Sequence, residues 1–152
     1  MSTWTTQATV DGTPEEVLAV LSDPDCCYRW SPIDFDLEDL DGDRLETGSF
    51  ARVAGRVAGL PVSFEIEVQH ASDRRLALTA RGPMTLEVEY EAYPADADRA
   101  EVWATVTVKP GRSLSSRLAA ASTEALLRGG ALNMALRRIA AEVAPRMEEV
   151  PA

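Results

Sequence analysis

Apolar and polar residues alternate along most of this chain, and the phase of the alternation predicts its elements. Trp4, Thr6, Ala8 and Val10 fall on one side of a first strand over Trp4–Val10. Asp11-Gly12 turns the chain. Thr13-Pro14-Glu15-Glu16 then opens a helix, with Thr13 as N-cap, Pro14 at the first helical position and Glu16 closing a capping box. Val17, Leu18, Val20 and Leu21 form its buried stripe. Pro24 breaks the helix, and Asp25 to Trp30 makes one further short turn of helix before Pro32 ends it.

From there the period is two for about seventy residues. Strands are expected over Phe35–Leu40, Ser49–Val57, Val62–Gln69, Arg75–Arg81, Met84–Tyr93 and Glu101–Val108, with hairpin chemistry at Gly59-Leu60-Pro61, Ser72-Asp73 and Gly82-Pro83 and in the acidic loop that follows Tyr93. Folding at these turns sets Val53 opposite Ile66, Val57 opposite Val62 and Arg52 opposite Glu67. It brings Ile66 near Leu78 and Val68 near Leu76, then Leu78 to Leu86 and Leu76 to Val88. The last hairpin brings Val88 to Val106 and Tyr90 to Ala104. One apolar face then runs across the meander, with Glu65, Glu67, Glu87, Glu89 and Glu91 on the other.

A dry face needs a cover. One long helix, roughly Ser113 to Met147, is expected to supply it. Leu114, Leu118, Ala121, Ala125, Gly129, Leu132, Leu136, Ile139 and Val143 recur at steps of three and four. Gly129-Gly130 is read as a close approach or bend within that helix, the alternative being an end and restart.

The bulk properties narrow the function. The 152 residues fit a single domain, 1–152, of ordinary globular composition, 45% hydrophobic and 26% charged. A net charge of −10 disfavours nucleic acid and anionic surfaces. The chain has no integral membrane segment, and its first residues lack the pattern of a secretion signal, so a cytoplasmic location is expected. The only cysteines, Cys26 and Cys27, are neighbours and read as free thiols; no metal or other cofactor is expected.

The stretch VDGTPEEVLAVLSDPDCCYRWSP, Val10 to Pro32, followed by the glycine-bounded meander and the closing helix, resembles the START-like superfamily, also called SRPBCC or helix-grip proteins. That superfamily includes the birch pollen allergen fold and the polyketide cyclase/dehydrase group. The resemblance implies an α+β fold in which a curved seven-stranded antiparallel sheet wraps around a long C-terminal helix, with two short helices after the first strand. It also implies an apolar cavity between sheet and helix, taking a lipid, sterol, polyketide or similar small hydrophobic molecule as partner. Pro24 and the turn to Trp30 become a corner, with Tyr28 and Trp30 capping the cavity's lower end. The protein is expected to be a monomer or homodimer.

Candidate chemistry is sparse. His70, the only histidine, sits at a strand end with no nucleophile-elbow sequence in the chain, and the acidic stretch Glu38–Glu46 lacks the spacing of a calcium loop. Tyr90 falls on the inward face, either as a core tyrosine or as a hydroxyl that meets ligand. Thr6 shares the inward side of the first strand, and Ser122 and Asn133 border the helix stripe. Arg52, Arg56 and Arg81 fall on the outer face. The expected cavity is bounded by Val53, Phe64, Ile66, Leu78, Val88, Val106, Leu118, Ala125 and Leu136. With no inward charge, binding of an uncharged hydrophobic molecule is the leading expectation. The alternatives are a polyketide cyclase/aromatase-type enzyme and a protein-interaction module without ligand. Trp30→Ala is expected to lower the unfolding free energy by ~3–5 kcal/mol, as truncation of a buried aromatic does; an unchanged melting temperature contradicts the corner.

Overall fold

The computed structural model describes residues 2–23, 35–40, 42, 44–57 and 60–148. Cys26, Cys27, Tyr28, Trp30 and the second short helix expected before Pro32 lie outside the described residues. The elements are β1 (Ser2–Asp11), α1 (Pro14–Ser22), β2 (Phe35–Leu40), β3 (Phe50–Val57), β4 (Leu60–Ala71), β5 (Arg75–Arg81), β6 (Met84–Asp96), β7 (Arg99–Pro110), α2 (Leu114–Arg128) and α3 (Ala131–Glu148). The strands form one seven-stranded antiparallel sheet in the order β1-β7-β6-β5-β4-β3-β2, so the meander is closed by β1 pairing with the last strand. Among the described residues no helix is long and apolar enough to cross a membrane.

α1 starts as its residues dictate. The Thr13 hydroxyl accepts the Glu16 N–H at 3.3 Å, and Pro14 occupies the first turn, where no N–H is needed. Val17, Leu18, Val20 and Leu21 are all buried against the dry face of the sheet.

The sheet keeps its expected faces in a different register. Arg52 pairs with Glu65 and Val53 with Phe64, each two residues from the expected partner. Val68 pairs with Leu78, and Leu78 with Val88, again displaced by two. Val88–Val106 and Tyr90–Ala104 pair as expected. The β3–β4 strands extend further into their turn, and a bulge between Val68 and His70 shifts the next hairpin. Because side chains alternate with a period of two, an even slip leaves every residue on its own face. The dry face carries Val53, Phe64, Val68, Leu76, Met84, Tyr90, Ala92, Val102, Ala104 and Val108, all buried.

The wet face is a lattice of exposed ion pairs. Arg52 meets Glu65 at 3.7 Å, Arg81 meets Glu67 at 3.0 Å, Arg75 meets Glu89 at 2.9 Å and Lys109 meets Glu87 at 2.7 Å. Exposed pairs of this kind contribute ~0–1 kcal/mol each. Their larger effect is on register, since a one-residue slip would carry these charges onto the dry face.

The expected single C-terminal helix is two helices. Gly129 closes α2, its N–H bonded to the Ala125 carbonyl at 3.0 Å, and Gly130 takes a φ of 96°, where a side chain strains the backbone. The Gly130 carbonyl then accepts the Met134 N–H at 3.0 Å and starts α3. This break resets the helical phase. α3 buries Leu132, Leu136, Ile139 and Val143 as the stripe requires. α2 instead buries Ala119, Ala120 and Thr123, and turns Leu114, Leu118, Ala121 and Ala125 to solvent.

Gly130→Ala is expected to lower the unfolding free energy by ~1–2 kcal/mol through its positive φ, measured by denaturant titration. Gly129→Ala, at a negative φ, is expected to cost less; equal losses would contradict this account of the junction.

Candidate functional site

The dry face is covered unevenly. At one end α1 and α3 press Val17, Leu21, Leu136, Ile139 and Val143 against Val10, Leu76, Ala92 and Val102, and every one of these side chains is buried. At the other end Met84 and Val108 are buried beside the turn into α2. The middle rows differ. Ile66, Leu78, Leu86 and Val88 point to the same dry side yet remain half-buried. Beyond α1, which reaches β6 and β7 too, these strands are met by α2, and it offers two alanines and a threonine there. Small side chains on the cover leave large side chains on the sheet incompletely packed.

The expected site residues divide accordingly. Val53, Phe64, Val106, Tyr90 and Leu136 are buried, Tyr90 with 2% of its surface exposed. Ile66, Leu78 and Val88 form the half-buried patch. Leu118 and Ala125 do not line it: Leu118 is 55% exposed and Ala125 is exposed beside it, because the phase carried back from α3 is lost at Gly130. Ser122 is half-buried at the flank of α2, while the inward hydroxyl is that of its neighbour Thr123, which donates to the Ala119 carbonyl at 3.0 Å. Thr6 and Asn133 come together, the Thr6 hydroxyl donating to the Asn133 amide oxygen. Asn133 is exposed and Thr6 half-buried, and their bond ties the start of α3 to the sheet edge. Tyr28 and Trp30 lie outside the described residues.

Trp4 was missed as a candidate, although the alternation of β1 already places it inward with Thr6. Its ring packs against the core, and the Arg128 guanidinium lies 5.8 Å from its centroid. The ends of α2 and α3 that flank the glycine pair are thus held on β1 by Trp4 and Thr6. Among the described residues the dry face carries no ionisable acid or base other than the tyrosine phenol, so the patch is built for packing and hydrogen bonding. His70 is exposed at the β4 bulge.

No family model and no curated protein matches the chain. Its fold is matched by solved structures. An aromatase/cyclase from Streptomyces sp. R1128 superposes with a TM-score of 0.74 at 18% identity, over 96% of this chain and 95% of that one. A START superfamily protein from Mycobacterium smegmatis gives 0.69 at 14% identity, over 94% and 97% of the two chains. A protein of the dynemicin biosynthetic locus gives 0.62 at 20% identity, over 95% of this chain and 48% of its own length. The chain has the START-like, helix-grip fold. At these identities the likeness concerns the fold, and the chemistry has to be argued from the side chains.

The wet face holds an open depression of about 340 Å³ lined by Glu89, Glu91, Tyr93, Trp103 and Thr105. The Tyr93 hydroxyl donates to the Glu91 carboxylate. That hydrogen bond first, then slight desolvation and the negative charges of Glu91 and Glu89, push the Tyr93 phenol above its ordinary value. The protonated phenol is the form favoured by folding. Its contribution is therefore complete below the ordinary phenol range and is lost as pH rises through the raised value. Glu91→Gln is expected to bring the Tyr93 titration down, read from its ring signals by NMR across alkaline pH; an unmoved or higher titration contradicts the pairing.

Proposed function

We propose that the protein binds a small, uncharged hydrophobic molecule on the dry face of the sheet, beneath α2. The observation that carries the proposal is the half-buried patch of Ile66, Leu78, Leu86 and Val88, enclosed between two fully packed ends. A monomer with a completed core has no reason to leave four large apolar side chains of its inner face unsatisfied in one place. A ligand that fills this space gains the burial that α2 does not provide, at ~25 cal/mol per Å² of apolar surface covered. The site needs no counter-charge because such a ligand brings none.

Tyr90 and Thr123 are buried polar side chains on the inward faces of β6 and α2. In a binder they orient the ligand. The named activity of the Streptomyces neighbour motivates a second reading, in which the same space folds a reactive polyketide chain by proximity and orientation. Binding is the primary reading, since it requires of the described residues only the apolar space, whereas a cyclase also needs groups that move protons.

The neutral fluorescent probe N-phenyl-1-naphthylamine is expected to bind the folded protein with one-to-one stoichiometry. Val88→Trp fills the proposed space, so it is expected to weaken the probe by at least about tenfold, about 1.4 kcal/mol, while leaving the melting temperature close to that of the parent. If the region is packed solid, the added ring instead costs ~1–3 kcal/mol of stability. That loss, together with no probe binding by the parent protein, would refute the proposal.

A further inference from the structure

The indole N–H of Trp4 is buried and meets no acceptor among the described residues. Native structures rarely leave a buried donor without a partner, because the lost hydration is not replaced. The surroundings explain why the described residues offer none. Trp4 pairs across the sheet with Val106, which pairs with Val88, which pairs with Leu78, so its row on the dry face is wholly apolar. The Thr6 hydroxyl, next along the inward side of β1, is directed to Asn133. The Arg128 guanidinium lies over one face of the ring, 5.8 Å from its centroid.

We infer that the Trp4 N–H is the hydrogen-bond donor for an oxygen of the ligand, and that the ligand class is a neutral hydrophobic molecule bearing a carbonyl group. This rests on the hydrophobic site proposed above and adds a specificity to it. A carbonyl oxygen supplies the missing acceptor without charge. A carboxylate would have to give up its hydration on a wholly apolar row, where the cation beside the indole, Arg128, is itself exposed to water. A pure hydrocarbon leaves the donor unsatisfied. The Trp4 donor thus adds a polar contact at the sheet edge, β1, to those of Tyr90 and Thr123, and the capacity of the site comes from the middle strands.

The test compares two probes with the same bicyclic frame, alpha-tetralone with its carbonyl and tetralin without it, on wild-type protein and Trp4→Phe. Alpha-tetralone is expected to bind roughly tenfold tighter than tetralin, within the range set by leaving one buried donor unpaired. It is also expected to shift the Trp4 indole N–H signal in NMR spectra, which tetralin does not reproduce. Trp4→Phe keeps the ring and removes the donor, so it is expected to abolish the preference while retaining tetralin. Equal affinities with an unmoved indole signal, or a preference that survives Trp4→Phe, overturn the inference and leave the hydrophobic site standing. Binding of neither probe overturns both. Should Trp4→Phe fail to fold, the wild-type indole signal, assigned by elimination through Trp30→Phe and Trp103→Phe, decides the matter alone.

Discussion

An antiparallel sheet with one apolar face must bury that face, and the rest of this structure follows from how the burial is done. Strands β1 and β3 to β7 present branched or aromatic side chains to one side, and among the described residues the helices α1, α2 and α3 are placed over them. α1 and α3 bring leucine, isoleucine and valine and seal their end completely. α2 brings Ala119, Ala120 and Thr123. Each methylene missing from the cover forgoes ~0.8 kcal/mol of burial. The shortfall falls in one place: Ile66, Leu78, Leu86 and Val88 stay half-buried while the ends of the face pack tightly.

The glycine pair at 129–130 is the joint that makes this division possible. A continuous helix in phase with α3 would turn Leu114 and Leu118 onto the sheet and fill the middle rows with leucine. The positive φ of Gly130 breaks that phase, so the leucines face out and the alanines face in. Trp4 and Thr6 hold the two sides of the joint to β1 through Arg128 and Asn133. The edge strand therefore sets where the cover changes direction, and with it which side chains of α2 meet the patch.

Much of the fold was legible in the sequence because alternation is robust to error. The displaced pairings outside the β4 bulge, such as Val53 with Phe64 in place of Ile66, moved by an even number of residues, and the bulge between Val68 and His70 absorbs the odd step that pairs Leu76 with Ala71, so the dry and wet sets survived. The capped start of α1 was equally legible, since Thr13 and Pro14 are local signals. The helical stripe was less robust. It depends on unbroken phase, and of the two readings open at Gly129-Gly130, a bend or an end and restart, the structure has the end and restart, which moves Leu118 and Ala125 to the surface and turns Thr123 inward beside Ser122. Trp4 was placed on the correct face but not recognised as a donor. Whether its N–H has a partner depends on residues from β6, β7 and α2 that are distant in the chain.

The central claim is that empty apolar space exists on the dry face beneath α2, and xenon addresses it without any assumption about the natural ligand, because the gas occupies dry apolar cavities and forms no hydrogen bonds. The account predicts that crystals exposed to xenon under pressure show the atom bounded by Ile66, Leu78, Leu86 and Val88. It also predicts that Val88→Trp removes that site. Xenon absent from the dry face, with those four side chains closed against α2, would contradict it.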